Sequence, residues 1–157
     1  SSAASDVYKR QLTQIVGEFS EKAEANQLEM VVECPQPPVE IYVDGRHLWR
    51  IIDNLMGNIC KYAQPGTRVY ITLEKFHGMV IMTFRNISKD RLKMTSEELF
   101  GRFVRGDSSR NTEGHGLGLS IAKSLTELMH GNLAVQMDGD LFKVILSFEE
   151  YQEDKKQ

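Results

Sequence analysis

Two pairs of alternating runs, each joined by a two-residue turn, constrain the fold most tightly. RVYITLEKF (68–76) and MVIMTFRN (79–86) flank His77-Gly78, and NLAVQMD (132–138) and LFKVILSF (141–148) flank Gly139-Asp140. Alternation of this length describes strands with one buried face, and a short glycine-bearing link describes a hairpin. Hairpin strands pair antiparallel, which excludes a doubly wound parallel sheet.

Helical spacing fills the intervals. Leu12, Ile15, Val16 and Phe19 predict a helix over 12–26; Leu48, Ile51, Ile52, Leu55, Met56 and Ile59 share one face of a long helix over 46–63. LEMVVEC and VEIYVD read as strands around the break PQPP. Leu117, Ile121, Leu125 and Leu128 predict a helix that stops at Gly131. The order is then αββαββ, a long polar loop and αββ. Within the loop, Thr95-Ser96-Glu97-Glu98 forms a capping box for a short helix ending near Phe103. The expected class is α+β, a two-layer sandwich with a mixed, mostly antiparallel sheet and helices on one face. So long a loop in a compact domain argues for a functional lid.

Residues 1–11 lack periodicity and read as a disordered tag or junction; 12–27 read as the end of a preceding helical segment, 28–150 as the domain itself, and 151–157 as a solvated tail. The net charge of −3 gives no global attraction to nucleic acid, no apolar run approaches the ~20 residues needed to span a bilayer, and no signal peptide is evident. Cys34 and Cys60 lie in apolar surroundings without metal spacing, and read as buried thiols of a reducing compartment.

The chemistry concentrates in two places. EGHGLGLSIAKSL (113–125) carries Gly114, Gly116 and Gly118 and turns at once into a helical pattern. Exposed backbone N–H groups at a helix start favour an anion, often a phosphate. A dinucleotide fingerprint would follow a strand directly, and a P-loop would end in Gly-Lys-Ser/Thr; here the glycines follow a polar loop, and Gly118 precedes Leu119-Ser120. A glycine-rich turn with no ligand stays open on these residues alone. The second place is DNLMGNICKYA (53–63). At about 100° per residue, Asn54, Asn58 and Lys61 fall within about 60° of one another, beside Tyr62 and bordering the apolar face. Asparagine is a poor mid-helix residue; two of them one turn apart, with an ammonium and a phenol, read as a pocket wall rather than a solvated face.

With both stretches in view, the chain resembles bacterial sensor histidine kinases over roughly residues 28–148. NLMGNICKY is similar to the family's N box, ELFGRFVRGDSSR to its F box and GHGLGLSIA to its second glycine box, in the same order and spacing. The resemblance implies the Bergerat fold of the GHKL superfamily, with ATP and Mg²⁺ held between the N-box helix and a mobile lid. It implies that Asn58 binds Mg²⁺ through its amide oxygen, with Asn54 assisting, that Lys61 contacts the triphosphate, and that Tyr62 lies against the nucleotide. It makes Arg102 and Arg105 candidates for steadying the γ-phosphate, with Arg110 behind them, and Phe100 and Phe103 lid anchors. Gly114, Gly116 and Gly118, with Leu117 and Leu119 between and beyond them, would line the phosphates; His115 reads as lid filler, an imidazolium contact to phosphate being the lesser alternative.

Two departures from the family pattern stand out: His115 itself, between the first two glycines of the box, and the first glycine box. At the latter, Asn86, Ser88 and Asp90 stand where the family has an aspartate and two glycines. The family's aspartate accepts from the adenine amino group; Asn86 also accepts, but without charge, so a weaker bond or an altered base preference is expected. Fold relatives that hydrolyse ATP carry a glutamate where Asn54 stands, and an amide cannot act as general base. The expected activity is thus γ-phosphoryl transfer to a histidine on a separate dimerisation domain of the same parent, serving a response regulator indirectly. His47, His77, His115 and His130 do not sit in the setting of that histidine. The parent is expected to be a homodimeric sensor in the bacterial cell membrane, with this fragment monomeric and cytoplasmic and binding no nucleic acid. A nucleotide-binding scaffold without phosphotransfer is the alternative, and an ATP hydrolase conflicts with Asn54.

Overall fold

A computed structural model of the chain describes residues 7–34, 41–93, 99–100 and 115–150. Helix α1 (Val7–Ala25) is followed by strand β1 (Glu29–Glu33), helix α2 (Gly45–Tyr62), strands β2 (Arg68–Phe76) and β3 (Met79–Ile87), helix α3 (His115–Leu128), and strands β4 (Asn132–Asp138) and β5 (Leu141–Glu149). The five strands form one sheet in the order β1-β2-β3-β5-β4. Among the described residues only β1 pairs parallel, with β2; the other three pairings are antiparallel.

Both expected hairpins form. His77 (φ 51°) and Gly78 (φ 77°) sit in the left-handed region, the conformation a two-residue turn needs to match strand twist. Alternation sends Val80, Met82 and Phe84 of β3, and Val144, Leu146 and Phe148 of β5, into the core; there they meet Leu48, Ile51, Ile52, Leu55, Met56 and Ile59 of α2. These α2 positions repeat at three and four residues, so one helix face closes the sheet's inner side. Helices α1 and α3 pack against α2, completing a two-layer α+β sandwich.

Helix α2 starts sharply. Asp44 has extended backbone (φ −75°, ψ 119°), and its carboxylate accepts from the Arg46 N–H at 2.8 Å. That bond holds the Asp44 carboxyl below the ordinary range, although the group is exposed. Helices α1 and α3 end alike. Leu28 N–H donates to Ala23 O (2.8 Å) and Gln27 N–H to Glu24 O (2.9 Å); Gly131 N–H donates to Thr126 O (2.9 Å) and His130 N–H to Glu127 O (3.0 Å). Both are Schellman ends, with left-handed Gln27 (φ 60°) and His130 (φ 65°) where glycine is the usual occupant.

Four expectations need correction. Helix α1 begins at Val7, inside the stretch read as a disordered junction, because the helix extends N-terminally past Leu12, the first apolar position of the pattern. VEIYVD does not form a strand among the described residues: Ile41 makes one antiparallel bridge, to Glu150, and Asp44 is taken up as the α2 cap. The burial alternation there is real, with Ile41 and Val43 buried and Tyr42 exposed, but it belongs to the connection that leads into α2. Cys34 is only half-buried, whereas Cys60 is buried and burial pushes its thiol up; both are free thiols. Helix α3 begins at His115, so Gly116 and Gly118 lie within its first turn rather than in a preceding loop. The capping box at 95–98, the loop through 114 and the tail 151–157 lie outside the described residues.

Candidate functional site

A cleft of about 460 Å³, including its open mouth, lies between the C-terminal half of α2, the start of α3 and the inner face of β3 and β5. Helix α2 contributes Leu55, Asn58, Ile59 and Tyr62; the sheet contributes Phe84, Asn86, Phe142 and Val144; Leu119 of α3, Ser88 and Leu92 complete the wall. The phase of each element explains this gathering. Asn58 and Tyr62 sit one turn apart at the border of the apolar stripe, and Asn86 continues the inward-facing series Val80, Met82, Phe84.

Asn58 faces the first turn of α3. A Cβ placed on Gly118 would lie 3.6 Å from Asn58 Oδ1 and 3.8 Å from Nδ2. The first four N–H groups of a helix lack intrahelical acceptors and carry partial positive charge, and in α3 these belong to His115, Gly116, Leu117 and Gly118. An amide oxygen and a row of N–H groups that lack intrahelical acceptors thus border one opening. One turn earlier on α2, Asn54 is half-buried, and its Nδ2 is buried with no hydrogen-bond partner among the described residues. Lys61 Nζ lies 5.5 Å from the Tyr62 ring centroid.

The sheet side is more enclosed. Asn86 is 4% exposed and Ser88 9%. Ser88 Oγ donates to Asp90 O at 2.7 Å and accepts from Asp90 N–H at 3.2 Å. Its backbone N–H donates to Asp140 O, and Lys89 N–H donates to Tyr62 O (3.0 Å), so this turn is tied both to the β4–β5 hairpin and to the end of α2. Asp90 itself is exposed and does not line the cleft; it serves the turn through its backbone. Phe100 also stands off the cleft wall. Its carbonyl accepts from Ser120 Oγ at 3.2 Å, Lys123 Nζ lies 5.1 Å from its ring centroid, and its neighbour Leu99 is buried. These contacts moor Leu99 and Phe100, midway between β3 and α3, to α3.

Of the residues singled out in the sequence, Asn58, Tyr62, Asn86, Ser88 and Leu119 line one cleft. Gly118 borders it through Asn58, and Gly116, His115 and Leu117 share its helical turn. Arg102, Phe103, Arg105, Arg110 and Gly114 lie outside the described residues. Sequence reasoning did not single out Leu55, Ile59, Phe84, Leu92, Phe142 or Val144 as site residues. All but Leu92 carry only the periodicity of core positions, and nothing local marks which core positions stop short of full coverage.

The donor set limits what the site can hold. Among the described residues no group of three or more His, Cys, Asp or Glu side chains could bind a metal by itself. The amide oxygens present suit a hard cation shared with an anionic ligand, as Mg²⁺ is when it keeps waters and phosphate oxygens around one or two protein oxygens. The apolar slot between helix and sheet suits a flat ring, and the open mouth suits phosphates. Cys60 is no nucleophile, since burial keeps its thiol protonated. No helix among the described residues is long and apolar enough to cross a membrane.

Comparison with known proteins agrees with this geometry. Residues 43–152 match the family described as histidine kinase-, DNA gyrase B-, and HSP90-like ATPase. The chain is 32% identical over 140 residues to the sensor histidine kinase RppB of Synechocystis, covering 86% of this chain and 31% of that protein. It is 39% identical over 107 residues to the probable sensor protein PcoS of Escherichia coli, covering 66% of this chain and 23% of that one. The chain therefore spans under a third of the length of these relatives. The catalytic domain of histidine kinase ThkA superposes with a TM-score of 0.75 at 19% identity, covering 90% of this chain and 91% of that one.

Proposed function

Because this chain belongs to the histidine kinase-, DNA gyrase B-, and HSP90-like ATPase family, we propose that it is the ATP-binding catalytic domain of a sensor histidine kinase. It transfers the γ-phosphoryl group of ATP to a histidine on a separate dimerisation domain. The observation that carries this reading is the approach of Asn58 to the first turn of α3 at the mouth of a cleft floored by Asn86. Base and triphosphate are then accommodated in one cavity with opposite linings, apolar within and N–H-rich at the rim.

In this reading the chain's own groups act by positioning. Leu55, Ile59, Phe84 and Phe142 exclude water from the base. Asn86 bonds the base edge, Tyr62 borders the nucleotide, and the first-turn N–H groups of α3 hold the phosphates. Lys61 reaches the triphosphate, with Arg102 and Arg105 assigned to the γ-phosphate by their resemblance to the F box. Asn58 Oδ1 would hold Mg²⁺, with Asn54 as the second amide, and the ion when bound would supply charge neutralisation at the phosphates. Asn54 leaves water unactivated, since an amide cannot take its proton. ATP thus stays intact until a histidine arrives in line, and catalysis is orientation plus charge stabilisation. The parent protein is a bacterial membrane-bound homodimeric sensor that carries this domain in the cytoplasm and passes the phosphoryl group to a response regulator.

Titration with a non-hydrolysable ATP analogue, with and without Mg²⁺, tests the reading. Binding is expected to strengthen with Mg²⁺, and Asn58→Ala should remove the Mg²⁺-dependent part. Binding indifferent to both would sink it. The substitutions at Asn86 and Ser88 favour one second reading, a nucleotide-binding scaffold without phosphotransfer. Mixing the chain with ATP and a histidine-bearing helical domain separates the two: phosphohistidine supports the kinase, and binding without transfer supports the scaffold. Sustained phosphate release by the chain alone would instead revive hydrolysis.

A further inference from the structure

The enclosed part of the cleft is lined mainly by apolar side chains, and its sheet side carries the Asn86 amide in 4% exposed surroundings. Ser88, the other polar group there, already spends its hydroxyl on Asp90, donating and accepting at once. Asn86 is therefore the sheet group that can read the edge of a ring lying against Phe84 and Phe142. A primary amide is a planar donor–acceptor pair, and rotation about its last bond exchanges the two ends.

That symmetry has a consequence for purines. The edge of a 6-aminopurine offers a donor at its amino group and an acceptor at N1. The edge of a 6-oxopurine offers an acceptor at O6 and a donor at N1. The two patterns mirror each other, and one amide satisfies either after a half-turn. A carboxylate only accepts: placed against position 6, it pairs with the amino group of the first and opposes O6 of the second. Discrimination by hydrogen bonding requires that the wrong ligand leave a buried polar group unpaired; Asn86 leaves none unpaired in either case.

We propose that the cleft accepts 6-oxopurine as well as 6-aminopurine nucleoside triphosphates, with Asn86 as the residue that sets this breadth. The inference rests on the nucleotide-binding reading above. Competition of ATP, inosine triphosphate and guanosine triphosphate against a fluorescent ATP analogue on the intact chain tests it. Inosine and guanosine triphosphates are expected to compete within about tenfold of ATP. Asn86→Asp should widen the preference for ATP over inosine triphosphate by about tenfold or more, consistent with the cost of facing an acceptor with an acceptor. If ATP competes and both 6-oxo nucleotides are more than a hundredfold weaker, the breadth is overturned while nucleotide binding stands. If no nucleotide competes, the underlying function falls and this inference with it. An unchanged preference in a folded Asn86→Asp variant overturns the assignment to Asn86. Should thermal melting show that variant unfolded, the near-isosteric Asn86→Leu takes its place: equal weakening of all three nucleotides supports the assignment, and unchanged binding overturns it.

Discussion

Asn58 and Gly118 face each other across the mouth of the cleft: a Cβ on Gly118 would stand 3.6 Å from Asn58 Oδ1 and 3.8 Å from Nδ2. These are ordinary contact distances, so the fold tolerates a methyl group there. The space it would fill is where a ligand of the Asn58 amide has to approach. Gly118→Ala is therefore expected to preserve or raise stability, by up to about 1 kcal/mol from helix propensity, while weakening nucleotide binding about tenfold or more. Thermal melting and calorimetric titration on the same preparation check the opposed directions. Equal loss in both would assign Gly118 a purely structural role.

Asn54 invites a similar separation. Its Nδ2 is buried without a partner, so the amide costs stability rather than supplying it. Asn54→Ala should leave Tm within about 2 °C, roughly the response to 0.5–1 kcal/mol in a domain of this size, yet reduce affinity for the Mg²⁺-loaded ATP analogue. A large fall in Tm with unchanged affinity would contradict the orphaned-donor account.

The end of α3 gives two changes of opposite sign at adjacent positions. His130 is exposed and left-handed (φ 65°), a conformation that strains any residue with a Cβ. His130→Gly should stabilise by about 0.5–1 kcal/mol. Gly131 has no such backbone need. A Cβ there would meet Phe148 Cε1 at 2.5 Å, Cδ1 at 2.6 Å and Ser147 O at 2.8 Å, and Phe148 is buried. Gly131→Ala should destabilise by about 1–3 kcal/mol, the usual cost of overpacking. Denaturant melts of the two variants beside the parent chain decide both signs.

Acid stability should depend on Asp44. The Arg46 N–H and the helix start depress its folded pKa, so its stabilisation is present above the unfolded value, about 3.9, and disappears as pH falls through the lower folded value. Asp44→Ala should lower Tm at pH 7, and the gap from the parent chain should narrow, without closing, as pH falls through the folded value, because the protonated carboxyl still offers an acceptor oxygen. Asp44→Asn keeps the capping acceptor without the titration, so its Tm at pH 7 should stay near that of the parent chain. Melting curves for all three across that pH range test the sign.

Much of the site was legible because its parts are local. Asn54, Asn58 and Tyr62 are fixed on one strip by helical spacing alone, and Asn86 is fixed inward by the alternation of β3. Glycine punctuation was read less well. Gly131 marks the end of α3 but does not bend the chain there; His130 does, and the glycine answers to Phe148 on β5. Likewise Gly116 and Gly118 looked like loop residues and stand inside a helical turn. A glycine announces that something excludes a Cβ, not whether backbone conformation, a neighbouring ring or a ligand does so.

The sequence by itself determined the two hairpins, the buried face of α2 and the polar strip along its border. Each follows from periodicities of two or about 3.6 residues, within reach of neighbours on one element. Only the tertiary structure decided that β1 joins β2 in parallel, that Phe142 and Val144 wall the same cleft as Leu55, and that α3 begins opposite Asn58. Those relations join positions tens of residues apart, and they are settled by how the helix layer seats on the sheet once every apolar face is buried.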